Sequence, residues 1–194
     1  FAAVQRILGV LLTVFSLTLL PPFALSLIVE DGAAPAFASA FGLTLGIGVL
    51  SWLPVRHLRR ELRLRDGFVV VVMFWTVLSG IGALPFILAE DPHLSVTDAV
   101  FESVSGLTTT GATVILSIDQ LPMSILYYRQ QLQWLGGMGI IVLAVAVLPM
   151  LGIGGMQLYR AETPGPMKDN KLTPRITESA KALWDIYLGP TVAF

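Results

Sequence analysis

The feature that most limits what this chain can become is residues 95–115, SVTDAVFESVSGLTTTGATVI, a short polar stretch between two long apolar runs at 67–89 and 123–151. Ser95 with Asp98 three residues on makes the S-x-x-D pattern that opens helices. Val96, Ala99, Val100, Ser103, Val104 and Leu107 then recur at three- and four-residue steps, which predicts an amphipathic helix. Gly106 is the expected C-terminal stop. About eleven helical residues reach ~16 Å, half of a ~30 Å hydrocarbon core. The helix is expected to enter a bilayer without crossing it. LTTTGATV follows, in which β-branched threonines disfavour helix and Gly111 opens backbone angles closed to other residues. An extended loop there offers carbonyl dipoles able to replace the water shell of a monovalent cation, with the negative end of the helix dipole behind them. Such backbone survives at membrane depth only where it lines a watery path or is buried in protein. From its residues alone, the stretch reads as a pore helix and an ion-coordinating loop.

The rest of the chain supplies spans. It is 55% hydrophobic and 13% charged, where a soluble domain carries about 25% charged residues, so an integral, all-α membrane protein is expected. Spans are predicted at 2–29, with a kink or break at Pro21 and Pro22, at 33–55, at 67–89 and at 123–151, and a further apolar run starts near Ala182. The first run is too long for a signal peptide, despite the ASA at 38–40. Gly42 and Gly46 form a GxxxG, a candidate for close helix approach. The arginines of residues 56–66 and the basic residues of 152–181 obey the positive-inside rule, which needs no nucleic-acid partner. With the N-terminus and those two segments cytoplasmic, eleven of the twelve Lys and Arg lie on one side, and Arg129 is the outer-side exception. Residues 90–122 then enter and leave from outside. Trp52, Trp75, Trp134 and Trp184 fit interface belts or packing. The absence of cysteine and the wide separation of His57 and His93 leave no disulfide framework and little for a metal cluster. An intramembrane hydrolase would need a nucleophile with His or Lys, or paired aspartates, on facing spans; the spans offer none, so no enzyme activity is expected.

SGLTTTGATV, with FES before it and RQQLQWLGGMGIIV after it, resembles the Trk-type potassium-uptake membrane subunits (TrkH and TrkG, in a superfamily with KtrB and the plant HKT transporters). The likeness covers about residues 67–194 and includes YRAETPGPMKDNKLTPRITESAKALWDIY, which looks like the linker into a second repeat. The resemblance implies four helix–pore-loop–helix repeats around one potassium path, of which this chain holds the N-terminal portion. It would divide into a two-helix hairpin with its basic loop (1–66), the first repeat (67–157), a cytoplasmic linker (158–181) and the start of a second repeat (182–194). The selectivity-filter strand would be Thr109, Thr110, Gly111, Ala112 and Thr113, with potassium at Thr109, Thr110 and Gly111. Gly111 in place of serine points towards potassium, while Ala112 and Thr113 depart from the TVGYG of potassium channels. The resemblance also implies a bacterial inner-membrane homodimer, a TrkA-like cytosolic nucleotide-binding ring as partner, and no bound cofactor beyond the transported ion. A subunit of a tetrameric one-pore-loop channel, or a sodium- and potassium-permeable transporter of the same superfamily, stays open as an alternative.

Two neighbours complete the expected site. Glu102, on the pore helix, is expected to pair with Arg129 and steady the filter from behind, because a lone charge at that depth is costly. Gly136, Gly137 and Gly139 offer a thin helix face for close packing.

Overall fold

The computed structural model describes residues 2–56, 64–147, 182, 184–189 and 191. The elements among them are helical: α1 (Ala2–Leu17), α2 (Leu20–Val29), α3 (Ala34–Trp52), α4 (Leu64–Gly82), α5 (Leu84–Leu88), α6 (Val96–Leu107) and α7 (Met123–Val147), with short 3-10 turns at Leu53–Val55 and Ile118–Gln120. Three apolar stretches, Ala2–Val29, Ala34–Val55 and Val69–Leu88, are long enough to cross a membrane. The expected fourth span is helical over Met123–Val147. Its last residues, the linker at 158–181 and most of the loop at 56–66 lie outside the described residues. The chain divides into two compact units, Phe1–Trp134 and Leu135–Phe194. Within the second, a Cβ added to Gly137 would lie 2.5 Å from the Tyr187 hydroxyl, so that glycine accommodates an aromatic ring.

Two spans are broken, each next to proline. The first breaks at Thr18 and Leu19, slightly ahead of Pro21 and Pro22, which sit in the first turn of α2. Proline is tolerated there because first-turn amides have no intrahelical acceptor. The third span, expected to be continuous, breaks at Ala83, with Pro85 in the first turn of α5. Each break leaves carbonyls that helix geometry would otherwise satisfy, and apolar surroundings make orphan carbonyls costly.

α1 and α3 pack closely through glycines other than the predicted pair. A Cβ on Gly9 would lie 2.8 Å from the Trp52 amide nitrogen and 2.9 Å from the Gly48 carbonyl, and one on Gly48 would lie 2.9 Å from the Thr13 nitrogen. Gly42 and Gly46 face open space instead, because the crossing point falls on the opposite side of α3. The turn joining α2 to α3 is tied down by Asp31. Its carboxylate accepts from the Ser26 hydroxyl, from the Ala33 amide (3.2 Å) and from the Ser124 amide at the start of α7 (2.8 Å). Burial pushes the Asp31 pKa up, but the hydrogen bonds from Ser26, Ser124 and Ala33 outweigh it and hold the group below its ordinary value.

Two outcomes follow from this packing. Gly9→Ala is expected to destabilise the purified protein by about 1–3 kcal/mol, since the obstructing atoms are backbone, while Gly42→Ala leaves the melting temperature unchanged. The native pKa of Asp31 is depressed, so its stabilising contribution is complete above the ordinary aspartate range near pH ~3.9. It fades only as pH falls through the lower native value. Thermal unfolding across acidic pH should therefore show a loss that Asp31→Asn, already lacking the contribution, does not show.

Candidate ion-coordinating loop and its support

The half-length helix is α6, twelve residues long, or ~18 Å. Ser95 caps it: its hydroxyl oxygen accepts from the Asp98 amide (3.2 Å) while the hydroxyl donates to the Asp98 carboxylate (2.7 Å). Gly106 does not end the helix. It lies inside α6, where a Cβ would come 3.0 Å from Leu132 Cβ, so its role is to let α7 approach. Gly82, the last residue of α4, does the same for the approach of α6, since a Cβ there would meet the Ser103 hydroxyl.

The helix ends one residue after Gly106, at Leu107, in a Schellman arrangement. The Thr110 amide donates to the Ser105 carbonyl and the Thr109 amide to the Gly106 carbonyl, both at 2.9 Å. This geometry places Thr109 in the left-handed region, with φ 56°, a conformation usually left to glycine. For a β-branched residue it is strained by about 1–3 kcal/mol. Gly111 follows with φ 75°, so positive-φ residues alternate with Thr110 and the backbone cannot return to helix or run as a regular strand. Residues 110–116 carry no helix.

Within this loop the carbonyls are unequally used. That of Ala112 accepts from the Ser105 hydroxyl at 2.6 Å. Among the described residues, no donor engages the carbonyls of Thr109, Thr110 or Gly111. The Thr108 hydroxyl donates back to the Val104 carbonyl (2.7 Å) and lies 2.8 Å from the Thr110 hydroxyl. Residues 108–114 are exposed in this chain.

Behind the loop, Glu102 is buried at 3% exposure and accepts four hydrogen bonds. Its Oε1 takes the Thr113 hydroxyl (2.5 Å) and the Val114 amide (2.7 Å). Its Oε2 takes Nε (3.1 Å) and Nη2 (3.0 Å) of Arg129. The guanidinium thus converges on one carboxylate oxygen and leaves the other to the loop. The structure brings Glu102 and Arg129 together and adds two partners, Thr113 and Val114, that the sequence did not point to. Ser105, the tie to Ala112, was equally unmarked; its place in the last turn of α6, next to Gly106, is the only available signal.

α7 positions Arg129 and also closes both broken spans. The Tyr128 hydroxyl donates to the Gly82 carbonyl at the α4–α5 break (2.8 Å). Its buried ring packs edge-on to Phe37 (5.6 Å between centroids) and tilted against Phe86 (5.3 Å). Gln131 Nε2 donates to the Thr18 carbonyl at the α1–α2 break (2.6 Å). In an unbroken helix that carbonyl would meet residue 22, which is proline and has no N–H. Both residues belong to the YYRQQ run of α7.

Removing one half of the buried ion pair should show how much rests on it. Arg129→Gln is expected to cost about 3–5 kcal/mol, because Glu102 is left as an uncompensated buried charge. The double variant with Glu102→Gln should cost clearly less than the sum of the single changes, as read by thermal unfolding of the purified protein.

Comparison with known proteins agrees with this architecture. Residues 33–194 match the TrkH family, described as a cation transport protein. The chain is 65% identical over 189 residues to a Trk system potassium uptake protein TrkH of Halomonas elongata, covering 97% of this chain and 39% of that protein. It is 46% identical over 184 residues to TrkG of Escherichia coli, covering 95% of this chain and 38% of the relative. The crystal structure of the potassium transporter TrkH from Vibrio parahaemolyticus superposes with a TM-score of 0.84 at 53% identity, over 100% of this chain and 38% of that one. The chain spans about 40% of the length of such relatives. With the family matched over most of its length, this chain belongs to the TrkH cation transport family.

Proposed function

We propose that this chain is the N-terminal portion of a potassium-uptake protein of the bacterial inner membrane, and that residues 109–113 form one of four selectivity-filter strands. The observation that carries the proposal is the loop after α6. Thr109 and Gly111 take positive φ, the carbonyls of Thr109, Thr110 and Gly111 have no donor among the described residues, and a buried carboxylate holds Thr113 and Val114 from behind. Carbonyls left without donors in a strained loop suit a dehydrated monovalent cation. Potassium is assigned to Thr109, Thr110 and Gly111. The Ala112 carbonyl is pulled back by Ser105 and contributes less. Glu102 and Arg129 act as the rigid support.

The same reading assigns 1–66 to a supporting hairpin, 67–157 to the first repeat, 158–181 to a cytoplasmic linker and 182–194 to the start of the second repeat, with a cytoplasmic N-terminus. Three further repeats of the complete chain would close the path around the exposed loop. Homodimerisation and a TrkA-like nucleotide-binding ring are proposed as the assembly, since the relatives are named as components of Trk systems. The role is transport, not catalysis.

The test is uptake by potassium-transport-deficient cells carrying the full-length protein. Gly111→Ser is expected to lower discrimination of potassium against sodium, because a side chain at a positive-φ position forces the loop to rearrange. Unaltered discrimination would remove Gly111 from the filter.

A further inference from the structure

We propose that Asp31 and Gln131 are positioning residues for ion selection, through which the α1–α3 hairpin fixes the height and rotation of α7, and so the place at which Arg129 meets Glu102. The inference rests on the filter reading of residues 109–113.

Besides the packing of Phe37 on Tyr128, the hairpin grips α7 through two hydrogen bonds. At the first, the Asp31 carboxylate accepts the Ser124 amide at 2.8 Å. That amide is in the first turn of α7, where no intrahelical acceptor exists, and a carboxylate is favoured by the helix dipole. At the second, Gln131 donates to the Thr18 carbonyl at 2.6 Å, an acceptor available because Pro22 lacks an N–H. Ser124 and Gln131 lie seven residues apart, two turns or ~10 Å, and so on one stripe of the helix. A single contact would leave α7 free to slide or turn about it. Two contacts two turns apart fix both motions.

Arg129 lies between the two grips. Its guanidinium meets Glu102 Oε2, and the opposite oxygen of the same carboxylate carries Thr113 and Val114. A shift of α7 therefore passes through two side chains to the loop backbone. Coordination constellations tolerate displacements of only ~0.5 Å before they lose function, well below the travel available to a helix held at one end. A hairpin serving only as a membrane anchor needs neither contact.

The test compares Asp31→Asn, Gln131→Met and the milder Ser26→Ala, which removes one of the hydrogen bonds holding Asp31, in the full-length protein. Gly111→Ser and Gln5→Met serve as references; among the described residues Gln5 bonds only within the hairpin, to the Ser51 carbonyl (3.1 Å). Membrane abundance, the KM for potassium and potassium-to-sodium discrimination are measured together. Asp31→Asn and Gln131→Met are expected to raise KM and lower discrimination about fivefold at unchanged Vmax per molecule. Ser26→Ala should give a smaller change of the same sign, and Gln5→Met none. Should the larger changes prevent accumulation of the protein, Ser26→Ala against Gln5→Met decides. Lower abundance with parental KM and discrimination in all three would falsify the positioning role. If Gly111→Ser shifts discrimination while these do not, the positioning role alone falls; if Gly111→Ser also leaves it unchanged, the filter reading falls with it.

Discussion

A carboxylate buried at 3% exposure organises this structure. Moving Glu102 out of water costs several kcal/mol unless the charge is paired and its lone pairs are occupied. The structure meets both needs at once, with Arg129 on one oxygen and Thr113 and Val114 on the other. Arg129 comes from α7, and Thr113 and Val114 from the loop. The charge can be buried only when α6, the loop and the first half of α7 have all reached their places. A polar hub of this kind specifies one arrangement where apolar packing alone would accept several.

The second constraint is the backbone accounting that lipid imposes. Proline at 22 and 85 breaks two spans, and the carbonyls left over must find donors inside the protein. α7 supplies them from consecutive turns, Tyr128 for Gly82 and Gln131 for Thr18. The helix that positions Arg129 is therefore held by the defects of its neighbours. The breaks gain a structural role, since each opens an acceptor through which a side chain can fix one helix against another.

Much of this was legible. The S-x-x-D cap at Ser95, the amphipathic spacing of 96–107 and the β-branched run after it place a short helix and a non-helical loop within a residue or two of where they lie. The pairing of Glu102 with Arg129 was equally readable, because few charges are available at that depth and opposite ones must meet. The glycines were less readable. Gly42 and Gly46 match a packing motif but face open space, while Gly9, Gly48, Gly82 and Gly106 make the close approaches. A motif gives the spacing that permits contact, but which face of a helix meets a neighbour depends on crossing angles that no local window contains. Gly106 illustrates the same limit, since a glycine near a helix end suits either a cap or a close approach.

The sequence by itself determined the all-helical membrane class, the half-length helix and the non-helical loop after it, because hydrophobic period, proline chemistry and backbone propensity act over a few residues. The tertiary structure decided which carbonyls are spoken for, that Thr109 takes the glycine-like conformation, and that the Asp31 carboxylate and the Thr18 carbonyl meet α7 from 93 and 113 residues away along the chain. Those outcomes depend on where distant orphan donors and acceptors come to rest. That is settled only when every buried polar group must be satisfied at once.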